Sequence, residues 1–227
     1  MPTSWQMGQH SAHATLVAHS TGDIPLALLD DFREELAPDV ELHVEESQAF
    51  FRSVEPPSWI ALLAEGSWWI KAMGAYAALF VAELVREAGK DTWKNRAEIA
   101  KRSASALGKI AVLARRLFAL TPRLPTRTTI SVGLPFPDEH FATELELTGR
   151  DEYEVAAEIA LFVRYLPVLE QLLEAESFTR DSIAAGIQLQ LQADLSLEVT
   201  WIDARALTIR SRTLRLPQSG GPEPTKE

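Results

Sequence analysis

The chain has 227 residues, 46% of them hydrophobic and 24% charged, with no cysteine and a formal net charge of −10. Such a composition excludes collagen-like and wholly disordered chains and supplies enough apolar residues for a sizeable core. The lack of thiols excludes disulfide frameworks, thiolate zinc sites and cysteine nucleophiles, and fits a reducing, cytoplasmic setting.

Residues 1–12 contain neither Lys nor Arg and no apolar stretch, so they read as a flexible N-terminus without a secretory signal. Ala14 to Ala18 reads as a strand. Asp23 and Pro25 then open a helix to Leu36 as N-cap and first-turn residue, and Pro38 stops it. Val40, Leu42 and Val44 alternate with Glu41, His43 and Glu45, the period of a strand with one buried face. A β-α-β opening with parallel strands and a right-handed connection follows.

After Pro56-Pro57, Ser58 can cap a helical region reaching about Ala88, with Gly89 as its stop. Trp93 to about Ala119 is again helical in pattern, giving an αα-hairpin that Thr121 to Pro125 breaks. Thr129 to Leu134 and Phe141 to Thr148 read as paired strands. Asp151 and Glu154 have capping-box spacing at the start of the clearest helix, in which Val155, Ile159, Phe162, Leu166, Leu169 and Leu173 form one stripe. Pro167 is expected to kink or split that helix.

Residues 183–192 fit two periods. Ile187, Leu189 and Leu191 alternate with glutamines as in a strand, while Ile183, Ile187 and Leu191 have helical spacing, and Thr179 as a cap tips the reading toward a helix. Leu195, Leu197, Val199 and Trp201 then alternate, Asp203-Ala204 can turn, and Leu207 to Leu214 returns as a strand. Residues 217–227 read as a disordered tail. The expectation is one α/β (α+β) domain over residues 13–216: a mixed β-sheet opening with a β-α-β unit, covered by helices including an αα-hairpin, and closing with a β-hairpin. Such a scaffold implies no function by itself.

Charge is segregated along the chain. Asp23 to Glu55 holds ten acids and two bases, a formal −8, whereas Arg86 to Arg127 holds eleven bases and three acids, a formal +8. In the basic segment Lys94, Lys101, Arg102, Lys109 and Arg116 make a candidate face for an anionic partner. No nucleic-acid-binding motif or aromatic stacking set accompanies them, and the overall charge is opposite, so pairing with the acidic helices of the same molecule, or simple solvation, explains them better than an anionic partner does.

The run Ala72 to Ala82 is uncharged, and its helix looks apolar on every side from Trp68 to Val85. Gly74, Ala78 and Ala82 form a smooth ridge for another helix, and Trp68, Trp69 and Lys71 resemble an interfacial anchor. Eleven uncharged residues between Lys71 and Glu83 fall short of the roughly 20 that span a bilayer, which favours a buried helix over a membrane-active effector.

The chemistry-bearing clusters are sparse. Asp138, Glu139 and His140 share one connection, with Glu144 and Glu146 on the strand after it, and could serve a hydrolase-type acid–base reaction if one carboxyl were buried. No nucleophile motif completes them. His10 and His13, or His19 and His43, lack the spacing of a metal site. Ser20-Thr21-Gly22-Asp23 has one glycine and no lysine, so helix capping explains it without phosphate. No cofactor or metal is expected, and the expected activity is non-enzymatic binding of a protein partner or self-association in the cytoplasm.

Overall fold

The computed structural model describes residues 14–19, 27–28, 30–31, 34, 42–46, 59–87, 92–124, 128–135, 142–176, 178, 182–183 and 186–216. Among the described residues eight strands form one open mixed sheet: β1 (Ala14–His19), β2 (Leu42–Glu46), β3 (Trp59–Ala64), β4 (Thr129–Pro135), β5 (Ala142–Glu146), β6 (Ile187–Leu191), β7 (Leu197–Asp203) and β8 (Thr208–Leu214), in the order β2-β1-β3-β4-β5-β6-β7-β8. The β1/β2, β3/β4 and β5/β6 pairs are parallel and the remaining four antiparallel. Ala27, Leu28, Asp30, Asp31 and Glu34 are helical between β1 and β2, which makes the opening the expected β-α-β unit. The closing hairpin β7–β8 is also as expected.

β3 corrects the sequence reading, which placed Trp59 to Ala64 at the start of a helix. This strand is flanked by β1 and β4 and is buried on both faces: Ile60, Leu62 and Ala64 join the main core, Ala61 and Leu63 a smaller cluster with Ala142. A strand with two apolar faces has no alternation, and periodicity cannot distinguish it from the first turns of an apolar helix.

Among the described residues after β3, the helices are α1 (Gly66–Arg86), α2 (Arg96–Arg102), α3 (Ala104–Leu107), α4 (Lys109–Leu120) and α5 (Glu152–Glu176), with a 3-10 turn at Thr121–Arg123. The returning arm of the expected αα-hairpin is thus three helical pieces. Its second break is at Gly108, where φ is +47°, and a Cβ there would stand 2.3 Å from the Tyr76 ring. Only glycine gives both the backbone angle and the room.

α5 packs against α1, α2 and α4, and its residues Val155 to Val163 are buried without interruption. The expected single stripe is therefore too narrow; this helix is enclosed on every side along that stretch, while Leu173 is half-buried. Nor does Pro167 split it, since the helix is one element from Glu152 to Glu176.

The helical preference at residues 183–192 is also corrected. Ile187 and Leu189 enter the core, Gln188 and Gln190 face solvent, and β6 lies between β5 and β7. Partners on both sides settle what local spacing left open. Ile183 makes an isolated antiparallel bridge to Asp203.

Candidate functional site

α1 has two unlike sides. Trp69, Met73, Ala77, Phe80 and Leu84, spaced by four and three residues, are buried against the core. The indole of Trp69 stacks edge-on with Trp68 and Phe162 at centroid distances of 5.1 and 5.5 Å, and its Nε1 donates to the carbonyl of Gly133 at 3.1 Å. Outward, Lys71, Ala75 and Ala82 are exposed, Gly74 and Ala78 half-exposed, and Ile70, Leu79 and Val85 stand at 41%, 60% and 46% exposure. The expected small-residue ridge of Gly74, Ala78 and Ala82 lies on this outward side, whereas Trp68 and Trp69 belong to the interior. An apolar side chain inside the fold needs no partner; one held outward on a rigid helix is a contact surface in waiting.

α1 is, among the described residues, the one helix long and apolar enough to cross a membrane, with 21 residues and a mean hydropathy of 1.3 over its best stretch. The tryptophans that resemble an interfacial anchor in sequence are 7% and 0% exposed.

The most charged cluster joins α2 to the start of α5. Arg96 Nη2 lies 2.7 Å from Glu154 and 3.5 Å from Glu158, its Nη1 donates to the Trp93 carbonyl at 3.0 Å, and its guanidinium sits 4.2 Å from the centre of the Trp93 ring. Glu158, 2% exposed, accepts from the amides of Thr148 and Gly149 and from the Thr148 hydroxyl at 3.0, 3.1 and 3.1 Å. Burial raises its pKa, while the Thr148 hydroxyl, the Arg96 charge and the two amides pull it back. Asp151 caps α5 through the amides of Tyr153 and Glu154, and Glu154 reaches back to the Arg150 amide at 3.0 Å, a capping box displaced by one residue. Glu158 spends its acceptor capacity inside the cluster, so its role is to clamp the β5–α5 loop. The neighbouring cleft, lined by Phe118, Ile130 and Thr148 among others, measures about 140 Å³, small beside the roughly 300–1,000 Å³ of ligand pockets.

Of the acid–base candidates, Asp138, Glu139 and His140 lie outside the described residues. Glu144 is on β5, where Ser131 Oγ donates to it at 2.8 Å and burial raises its pKa; Glu146 is exposed. No family model, characterised protein or solved structure matches the chain.

His10, His13 and the Ser20 to Asp23 turn lie outside the described residues. His43 pairs with Thr15 on β1, four positions from His19, so the strands hold the two histidines apart. Lys94 precedes α2, Lys101 and Arg102 are on α2, and Lys109 and Arg116 are on α4. Arg102 pairs with Glu87 at 2.8 Å, and Arg123, from the same basic segment, pairs with Asp31 of the acidic one at 2.9 Å. The two long charge blocks meet, in part, inside one molecule. Sequence reasoning missed Arg96, Glu158 and Ser131, because nothing local marks a charged residue as the partner of another far along the chain.

Proposed function

We propose that this chain is a non-enzymatic protein-interaction module that receives an amphipathic helix of a protein partner on the outward face of α1. The observation that carries the reading is the exposure of Ile70, Leu79 and Val85 around the Gly74–Ala78–Ala82 ridge, on a helix whose other side already fills the core. Small residues along the ridge let a second helix axis approach to about 8 Å, and the larger apolar side chains at its margins would flank it. Exposed Lys71 and Arg86 near the two ends of α1 favour a partner helix whose apolar stripe is bordered by carboxylates.

The test is site-specific photo-crosslinking in cells from position 78, with position 101 as a solvent-facing control. One discrete adduct from position 78, lost on Leu79→Glu and absent from position 101, supports the interface. Equal labelling from both positions, or an adduct indifferent to Leu79→Glu, overturns it.

The hydropathy of α1 favours a second reading, a membrane-active effector that releases this helix. It requires Trp69 to leave Gly133 and Phe162. Flotation with anionic and neutral vesicles separates the two: co-flotation reduced by Trp68→Ala supports release of the helix, and a chain that stays at the bottom of the gradient under all conditions ends that reading.

A further inference from the structure

We propose that copies of this chain associate edge to edge, with β8 of one molecule adding in parallel to β2 of the next to build a head-to-tail continuous sheet. The inference shares with the proposed function only the premise that the chain acts by association, and it uses a different surface. β2 and β8 end the sheet, and among the described residues each pairs on one side only. A strand so placed presents a row of backbone donors and acceptors to any strand that matches it.

Direction and charge select the match. From the parallel and antiparallel pairings across the sheet, β2 and β8 run the same way. Displacing one copy along the sheet therefore brings its β2 alongside β8 of its neighbour in parallel, as in three pairs already within the fold. β2, Leu42-His43-Val44-Glu45-Glu46, contains two acids and no Lys or Arg; β8, Thr208-Ile209-Arg210-Ser211-Arg212-Thr213-Leu214, contains two bases and no acid. Pairing β2 with β2 or β8 with β8 brings together strands of like net charge, whereas β2 with β8 brings together strands of opposite net charge.

The arginines of β8 keep capacity for this role. Arg210 contacts Asp203 at 2.8 Å and Arg212 contacts Glu176 at 3.5 Å, yet their side chains remain 56% and 63% exposed. Beside them Ile209, at 75% exposure, stands across from Ile202 on β7 at 38%, an apolar pair at the margin that an added strand would cover. Because the two contacting surfaces differ, nothing in the contact itself limits the number of copies, and the product is a filament or a ring.

Sedimentation velocity over a wide concentration range tests this with the full chain, the double variants Glu45→Lys/Glu46→Lys and Arg210→Glu/Arg212→Glu, and their equimolar mixture. The wild-type chain is expected to sediment faster with concentration without levelling at a dimer. Each variant alone should associate about tenfold more weakly or worse, and the mixture should recover association because each reversed edge meets its complement. Hydrogen exchange on the wild-type chain is the readout that does not depend on variants folding: amides of β2 and β8 should gain protection with concentration. A wild-type chain that stays monomeric, a plateau at the dimer, a mixture no better than its folded components, or exchange at β2 and β8 indifferent to concentration overturns the proposal. Leu79→Glu should leave this association intact; if it alone abolishes association, the contact is made by α1, and the edge-to-edge model fails while the helix-face reading stands.

Discussion

Trp69 and Gly133 are bound to one another across 64 positions of sequence, the indole N–H of α1 donating to the carbonyl of β4 at 3.1 Å. The contact ties the first turn of the outer helix to the middle of the sheet. Trp69→Phe keeps an aromatic ring but removes the donor and leaves space beside Phe162. The expected loss is about 2 kcal/mol, a hydrogen bond plus a small cavity, read as a lowered urea midpoint with unchanged slope. A midpoint equal to wild type would mean that this bond does not hold α1.

Glu158 accepts from the amides of both Thr148 and Gly149, and it faces Arg96 as well. Removing one partner of a buried charge network costs more than the network contributes, because the groups left behind stay desolvated. Glu158→Ala should therefore destabilise by about 3 kcal/mol or more. Hydrogen exchange should accelerate first at Thr148 and Gly149, before the strands open; uniform acceleration throughout the chain would argue against a local clamp.

The pH dependence has a defined sign at Glu144. Burial holds its carboxyl above the ordinary 4.5, against the pull of the Ser131 hydroxyl. The folded chain therefore binds this proton more tightly than the unfolded chain does. Its contribution to stability is fully present below 4.5, declines as pH rises from there through the raised folded value, and is level beyond. Glu144→Gln has no charge to bury. Its stability should match the wild-type chain near pH 4 and exceed it at pH 7, with the difference growing between them in paired urea titrations. A constant difference at all pH values would assign the effect to packing.

Leu207 closes the β7–β8 turn with φ of +51° while its side chain is 79% exposed. A branched apolar residue gains nothing there to offset the left-handed backbone. Asparagine tolerates this conformation and keeps the amide that donates to Asp203 at 2.8 Å. Leu207→Asn should raise stability by about 0.5–1 kcal/mol, visible as a melting point higher by a few degrees.

What the sequence made legible was whatever depends on near neighbours. Asp151 capping α5 and the alternation along β7 and β8 depend on residues a few positions apart, and the β-α-β opening on two strands joined by one short crossover. β3 was hidden because a strand with neighbours on both edges and apolar residues on both faces loses its period. The two long helices were read with their environments exchanged. The run Ala72 to Ala82 has no charge and looks enclosed, yet it is α5 that is enclosed; its Glu158 is accommodated by Arg96, 62 positions earlier. For the candidate site, the Gly74–Ala78–Ala82 ridge was visible as spacing. Which side of α1 faces outward depends on α5 and the sheet, and no local pattern records that.

The enclosure of α5 also has a consequence for how the chain is made. α1 and α4 are translated before the helix that covers them. At about 5–20 residues per second, the interval from the end of α1 to the end of α5 lasts on the order of ten seconds. Throughout it the inward side chains of α1, among them Trp69, whose partner Phe162 is on α5, lack the neighbour that will shield them. A nascent chain stalled ahead of Glu152 would present these side chains to chaperones and proteases, so rare codons there should lower soluble yield more than rare codons after Glu176.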